Sequence, residues 1–314
     1  MKIVLLENLG VSDAFLEQHK KKLETLGHQF LAYEKTADLE RLKERCHDAD
    51  VLMLANMSLS KEVVCQANKL KMVDIAFTGV DHIPLTALHE RGIVVCNTAG
   101  YATKAVAELT ISLMIQLLRN IKEVEESFRN GKVNNEVIGH LLYGKTVGIV
   151  GAGMIGKQVA FLCKCFGCHV ICTNPSPVQC EFIDQQVDFN TLLECSDIVT
   201  LHCLLTEKTR TMMNHETFRK MKKSSIFINT ARGQIVDEIA LKEVLDEHII
   251  AGAASDVFQV EPLSKDNPLF SCSHFIMTPH IGYITKESLE ERANMVFENL
   301  YAWLGGKPIR VISK

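Results

Sequence analysis

The chain of 314 residues sets 34 Lys and Arg against 38 Asp and Glu, a formal net charge of −4, and 47% of it is hydrophobic. This length fits two domains with ample core, the interspersed charges give no basic footprint for nucleic acid, and no stretch approaches the roughly 20 apolar residues that span a bilayer. A small-molecule partner and a cytoplasmic setting are expected, with Met1-Lys-Ile-Val-Leu-Leu6 reading as a first strand whose apolar run is too short for a signal peptide.

In chain order, the apolar runs Ile3 to Leu6, His28 to Tyr33, Val51 to Ala55, Met72 to Phe77 and Ile93 to Cys96 read as strands separated by helix-like segments. This βα alternation predicts a parallel sheet covered on both faces. By spacing alone, the connections Asn56-Met-Ser58-Leu-Ser60 and Thr78-Gly79-Val80-Asp-His82 are βα turns, with Ser58 or Ser60 as a helix N-cap. A long helix is then expected from Thr103 to about residue 130, with Val106, Leu109, Leu113, Leu117, Ile121 and Val124 on related faces. So apolar a helix at a domain junction suits a homodimer interface.

Thr146 to Val150 reads as a buried strand, and Gly151-Ala-Gly153-Met154-Ile155-Gly156 follows at once, with Val159, Leu162 and Phe166 continuing at helical spacing. Strand, glycine turn and helix together predict a dinucleotide site: the first glycine permits the turn, the second admits a pyrophosphate, and the third lets helix and strand pack closely. The next strand, His169 to Thr173, ends in Asn174 where an acidic residue usually takes the ribose of NAD. Asn174 can still hydrogen-bond a ribose, and no Arg or Lys nearby attracts a 2′-phosphate. NAD(H) is therefore the preferred cofactor and NADP(H) the alternative. The clustered Cys163, Cys165, Cys168, Cys172 and Cys180 lack a matching second pair at zinc spacing and read as small buried hydrophobes, so no metal is expected.

Strands are then expected at Ile198 to His202, Ser225 to Asn229, Ala251 to Val257 and Phe275 to Thr278, with a helix capped by Asp237 and running to His248, and a last helix over Lys286 to Leu304. Near the ends of these strands lie Asn229-Thr230-Ala231-Arg232-Gly233, Asp256-Val-Phe-Gln-Val-Glu261-Pro262 and Thr278-Pro-His280-Ile-Gly282-Tyr283. An Arg, an acid and a His are what a 2-oxo acid reductase requires. The guanidinium grips a carboxylate, the imidazolium protonates a carbonyl oxygen, and the carboxylate orients the ring. Spacing alone does not bring the three together.

The order and wording of these motifs, together with Thr78-Gly-Val-Asp81, Arg91-Gly-Ile-Val-Val95 and Ala105-Val-Ala-Glu108-Leu109, resemble the D-isomer-specific 2-hydroxyacid dehydrogenase family over nearly the whole chain. The resemblance implies two doubly wound parallel-sheet α/β domains. Residues 1–100 and 286–314 would form a flavodoxin-like substrate domain, and residues 101–285 an inserted Rossmann NAD-binding domain, with the helix over 103–130 at the junction and dimer interface. It implies Arg232 as carboxylate anchor, His280 as general acid in reduction and base in oxidation, and Glu261 as the partner of His280. Asp256 would accept from the nicotinamide carboxamide, with Gly151, Gly153, Met154, Ile155, Gly156, Asn174, His202, Cys203, Thr230 and Ala231 around the cofactor. His202 departs from the family pattern in being followed by Cys203-Leu204 where the family carries a residue and a proline. Backbone groups of Asn56, Met57, Ser58, Gly79 and Val80 would hold the substrate carboxylate, against the turn reading given above, and Tyr101 and Tyr283 would line the side-chain pocket.

The expected reaction is reduction of a small 2-oxo acid of the glyoxylate, hydroxypyruvate or pyruvate type to the D-2-hydroxy acid, and its reverse. The absence of Arg or Lys between Asn56 and Ser60, and of a C-terminal extension, argues against a long-form phosphoglycerate dehydrogenase, and Glu261 argues against the formate branch, which carries Gln there. The alternatives are an NAD(H)-sensing corepressor-like binding module, disfavoured by the lack of a disordered docking tail, and a phosphite- or 3-phosphoglycerate-oxidising member.

Overall fold

The computed structural model describes residues 1–132 and 137–312. In chain order the elements are β1 (Lys2–Leu5), α1 (Asp13–Thr25), β2 (Gln29–Ala32), α2 (Leu39–Cys46), β3 (Val51–Leu54), α3 (Lys61–Gln66), β4 (Met72–Ile75), α4 (Leu85–Glu90), β5 (Val94–Asn97), α5 (Thr103–Leu118) and α6 (Ile121–Arg129). There follow β6 (Thr146–Val150), α7 (Met154–Cys165), β7 (His169–Thr173), β8 (Gln185–Gln186), α8 (Phe189–Cys195), β9 (Ile198–Leu201), α9 (His215–Phe218), β10 (Ile226–Asn229), α10 (Glu238–Asp246), β11 (Gly252–Ser255), β12 (Phe275–Met277) and α11 (Lys286–Leu304). The chain divides into two compact units, 1–102 with 284–314, and 103–283.

The first unit holds a five-stranded sheet in the order β2-β1-β3-β4-β5, every pair parallel. This is the flavodoxin-like order. Four-residue strands such as Val51–Leu54 and Met72–Ile75 are buried along their whole length, as a sheet covered on both faces requires. Ile3, Leu5, Met53 and Met72 pack with Val296, Phe297 and Leu300 of α11, which brings the end of the chain back onto the sheet begun by its first residues. Thr285 and Ser288 start that helix with a reciprocal capping box.

The second unit holds a seven-stranded parallel sheet in the order β12-β11-β10-β9-β6-β7-β8. With β6 counted as its first strand this is the Rossmann order, reversing direction at β6. Alternate residues serve opposite faces: Val199 and Phe227 join a core with Phe218 and Leu241, whereas Ile198, Ile226 and Ile228 join one with Met114, Val159 and Cys163.

The single helix expected over 103–130 is a correction, because it breaks between Leu118 and Ile121. Asn120 takes the left-handed conformation, φ 49°, which asparagine tolerates better than most residues. The carbonyl of Leu118 accepts from the backbone N–H of His140 at 2.7 Å, so the segment after the helix replaces the turn that would have continued it. The helix capped by Asp237 closes at Asp246, two residues short of His248, which also has positive φ. No helix among the described residues is long and apolar enough to cross a membrane.

Candidate active site

In the second unit, Gly151 leaves β6 with φ +94°, and a Cβ there would stand 2.7 Å from the backbone N and Cα of Cys203. Only glycine fits so tight a turn against another chain segment. At Gly156 a Cβ would collide with the carbonyl oxygen of Gly151, so this position too must lack a side chain for α7 to lie against β6. Gly153 differs, since a Cβ there would meet nothing within 4 Å. The loop is thus tight on its protein side and open where α7 presents its N-terminal N–H groups at the exposed Met154. That is a cradle suited to a pyrophosphate. Asn174 braces the cradle: its side-chain oxygen accepts from Ala152 N–H at 3.2 Å and its amide donates to Ser176.

The backbone of His202 and Cys203 lies against Gly151, but the two side chains turn inward. His202 Nε2 sits 2.9 Å from Thr200 Oγ1, its Nδ1 is buried with no partner among the described residues, and burial pushes its pKa down to about 3. Burial likewise raises the Cys203 thiol to about 11. Thr230 follows β10, and its hydroxyl meets that of Thr110 on α5 at 3.1 Å.

The Arg232 loop is built from the end of β10. The buried Asn229 accepts from Ala231 N–H and donates to the Arg232 carbonyl, both at 3.0 Å, which ties off the turn. Gly233 then lets this loop close on the strap Phe258–Gln259, because a Cβ at Gly233 would collide with the Phe258 carbonyl. Gln234 donates to the Gln259 carbonyl at 2.9 Å, and Gln259 N–H donates to Glu238 at 2.6 Å. The strap leads directly to Glu261, whose Oε1 accepts from Phe258 N–H at 2.9 Å.

Glu261 Oε2 lies 2.7 Å from His280 Nδ1. Burial raises the Glu261 carboxyl, but the hydrogen bond and charge of His280, the Phe258 N–H and the charge of Arg232 together hold it below its ordinary value. A carboxylate only accepts, so Nδ1 carries the hydrogen of this pair and Nε2 is the ring's other site for a proton. His280 and Glu261, which spacing could not join, are therefore paired in one unit, and the charge of Arg232, whose guanidinium donates to the Ala231 carbonyl at 2.8 Å, reaches Glu261.

His280 has φ +54°, an uncommon conformation for a residue with a side chain. Asp256, buried at the end of β11, holds it there. Its carbonyl accepts from His280 N–H at 2.7 Å, and its carboxylate accepts from Thr278 Oγ1 at 2.5 Å, Ile281 N–H at 2.9 Å and Gly282 N–H at 2.8 Å. Burial raises the Asp256 carboxyl, and these donors and the charge of His280 only partly offset it. The Tyr283 ring meets that of His280 edge to face at 5.5 Å.

In the first unit the expected carboxylate loops follow the neighbouring strands β3 and β4, and Leu59 N–H bonds the His82 carbonyl at 3.1 Å, joining them. Ser60 is the N-cap of α3. Asn56 and Ser58 are exposed, and Gly79 and Val80 half-buried. The N–H of Met57, expected among the carboxylate donors, is a correction: it is taken at 2.7 Å by Oε1 of the buried Glu7, which sequence reasoning did not single out. Asn97, also missed, donates to the Thr78 carbonyl at 2.8 Å and so fixes the start of the second loop. Tyr101 is buried, 7% exposed, and packs near Phe77 and Arg292. Among the described residues no three His, Cys, Asp or Glu side chains gather as metal ligands.

The glycine cradle at the sheet's switch point is the form of a dinucleotide-binding fold, and the paired His280 and Glu261 lie beyond the ends of its strands. The model of the D-isomer-specific 2-hydroxyacid dehydrogenase NAD-binding domain matches residues 111–282. The chain is 38% identical over 306 residues to a D-3-phosphoglycerate dehydrogenase of Methanocaldococcus jannaschii, covering 95% of this chain and 57% of that protein. It is 34% identical over 294 residues to a glycerate dehydrogenase of Methylorubrum extorquens, covering 91% of this chain and 92% of that one. Among solved structures, an acyclic imino acid reductase in complex with NADPH and D-Arg aligns over 100% of both chains with a TM-score of 0.92 and 28% identity. The chain belongs to the D-isomer-specific 2-hydroxyacid dehydrogenase family, a family of NAD-binding oxidoreductases.

Proposed function

We propose that the protein reduces a small 2-oxo acid of the glyoxylate, hydroxypyruvate or pyruvate type to its D-2-hydroxy acid, and catalyses the reverse oxidation, with NAD(H) as the preferred coenzyme. The observation that carries this reading is the His280–Glu261 pair at 2.7 Å, with the charge of Arg232 acting on it, in the unit that holds the glycine cradle. The nicotinamide coenzyme, held over Gly151 to Gly156, supplies the hydride in reduction and accepts it in oxidation. Arg232 pairs with the substrate carboxylate through its planar fork and polarises the carbonyl. His280 delivers the proton on Nε2 to the carbonyl oxygen as negative charge develops there, and Glu261 steadies the ring throughout. Asp256 keeps the His280 turn in its strained conformation and presents a carboxylate edge to the coenzyme's carboxamide.

The uncharged Asn174, next to Pro175-Ser176-Pro177, supports NAD(H) over NADP(H), since no cation there answers a 2′-phosphate. The relative named glycerate dehydrogenase, matched over most of its length, supports a three-carbon substrate. The first unit, by this reading, takes the substrate carboxylate on the loops after β3 and β4. A second copy of the chain covers the exposed Phe128, Ile138, Leu141 and Tyr143, making a cytoplasmic homodimer.

The test is coenzyme turnover by the purified protein with NADH and NADPH against glyoxylate, hydroxypyruvate, pyruvate and 3-phosphohydroxypyruvate, repeated with His280→Ala. Turnover should fall by about 10²- to 10⁴-fold in the variant while NADH affinity is kept. Equal turnover in the variant refutes the role of His280. Tight NADH binding without turnover of any substrate points to the nucleotide-sensing module or to phosphite.

A further inference from the structure

Beneath the loop after β3 lies a buried carboxylate that the reaction as described does not use. Glu7, its side chain 6% exposed, accepts from the N–H groups of Ala55 and Met57 on one oxygen, both at 2.7 Å. One side chain thereby fixes the backbone on either side of Asn56. This also sets a negative charge directly behind a segment assigned, in the reading above, to a substrate carboxylate. Like charges at short range disfavour each other, and burial strengthens the effect.

The answering charge comes from elsewhere in the sequence. Lys35, just beyond β2, places its ammonium 3.6 Å from the second oxygen of Glu7 and 3.1 Å from the side-chain oxygen of Asn56. The lysine is 56% exposed, so it sits at the outer face of the loop while Glu7 sits at the inner one.

We propose that Glu7 and Lys35 are paired positioning residues of the carboxylate-binding loop: Glu7 sets its backbone, and Lys35 cancels the charge of Glu7 so that the loop accepts an anion. This rests on the reading of the loop as a substrate carboxylate site. It separates shape from charge, because a glutamine at position 7 keeps an acceptor oxygen for the two N–H groups without the charge that Lys35 answers.

The experiment compares the unaltered protein with Lys35→Met, Lys35→Arg and Lys35→Met/Glu7→Gln, using the 2-oxo acid that the unaltered protein turns over best. Lys35→Met should raise KM for the oxo acid about fivefold, the size of an exposed charge effect, with kcat and NADH affinity unchanged. Adding Glu7→Gln should return KM toward its original value, which a purely structural role for Lys35 does not predict. Lys35→Arg, which keeps the charge, should leave KM near its original value, a check that does not depend on the double variant folding. An unchanged KM in Lys35→Met overturns the proposal, as does a Lys35→Arg variant as impaired as Lys35→Met or a folded double variant no better than Lys35→Met. An unaltered protein that turns over no oxo acid overturns the functional reading, and this inference with it.

Discussion

Replacing Gly233 with alanine tests whether the Arg232 loop and the Glu261 strap must touch for the site to work. The added methyl carbon would lie well under 3.0 Å from the Phe258 carbonyl, where ordinary contact begins at 3.4 Å, and its neighbour is backbone that cannot rotate aside. Relief requires the strap to withdraw by roughly an ångström, and a misplacement of that size costs about 10²-fold in catalysis. Overpacking of this kind destabilises by about 1–3 kcal/mol, or a fall of about 4–8 °C in melting midpoint near the middle of that range for a unit of this size. Steady-state coenzyme oxidation and a thermal melt measure the two effects, and NADH affinity should change little because the cradle at Gly151 to Gly156 is a separate loop. A variant with full kcat/KM and an unshifted melt would refute the reasoning. It would mean that the contact between Gly233 and Phe258 does not hold Arg232 and Glu261 together.

Two further substitutions probe the cradle and the first sheet. Gly153→Val adds a side chain where a Cβ meets nothing within 4 Å, so the melting midpoint should stay put while NADH affinity, read by fluorescence titration, falls by about tenfold or more; unaltered affinity would move the pyrophosphate elsewhere. Asp74, on β4, has its carboxyl raised by burial from 3.8 to about 8, against the hydrogen bond of Asn299 and the charge of Arg310, and its Oδ2 has no partner among the described residues. Between those values the native chain binds a proton that the unfolded chain lacks, so this group's contribution to stability falls as pH rises through that window. Asp74→Asn should remove that fall, seen as similar denaturant midpoints at about pH 6 and about pH 9; an undiminished pH dependence would place its source in another group.

The strands were legible because a sheet covered on both faces demands short unbroken apolar runs, and Val51–Leu54, Met72–Ile75 and Ile226–Asn229 have no exposed residue. The glycine loop was legible for a different reason: Gly151 and Gly156 each fill a space with no room for a side chain, and such positions leave a trace in the sequence. Gln185–Gln186 escaped notice because both residues are exposed and bear no apolar signal. The break at Asn120 was hidden because the apolar periodicity continues across it, and the cause, His140 reaching back to Leu118, lies twenty residues downstream. Glu7 was invisible for the same kind of reason: nothing near position 7 announces that the loop at Ala55–Met57 will need an acceptor. For Arg232, Glu261 and His280 the residue types were readable, but the pairing of His280 with Glu261 depends on the parallel strands β11 and β12 ending side by side, and the reach of Arg232's charge to Glu261 on β10 lying next to them.

The order of the seven-stranded sheet carries a consequence for how the chain behaves when crowded with copies of itself. Its outermost strands, β12 and β8, run for three and two residues, while the five-residue strands β6 and β7 lie inside. Templated aggregation needs a length of unpaired ladder on which a foreign strand can settle, and an edge of two or three residues gives it almost none. On the first sheet, β5 is closed off by Val311, which bridges Cys96 in the antiparallel sense, with Ile312 N–H bonding Val95. The same placement that sets β6 and β7, the longest strands, beneath the glycine cradle also keeps them inside the sheet, away from its edges.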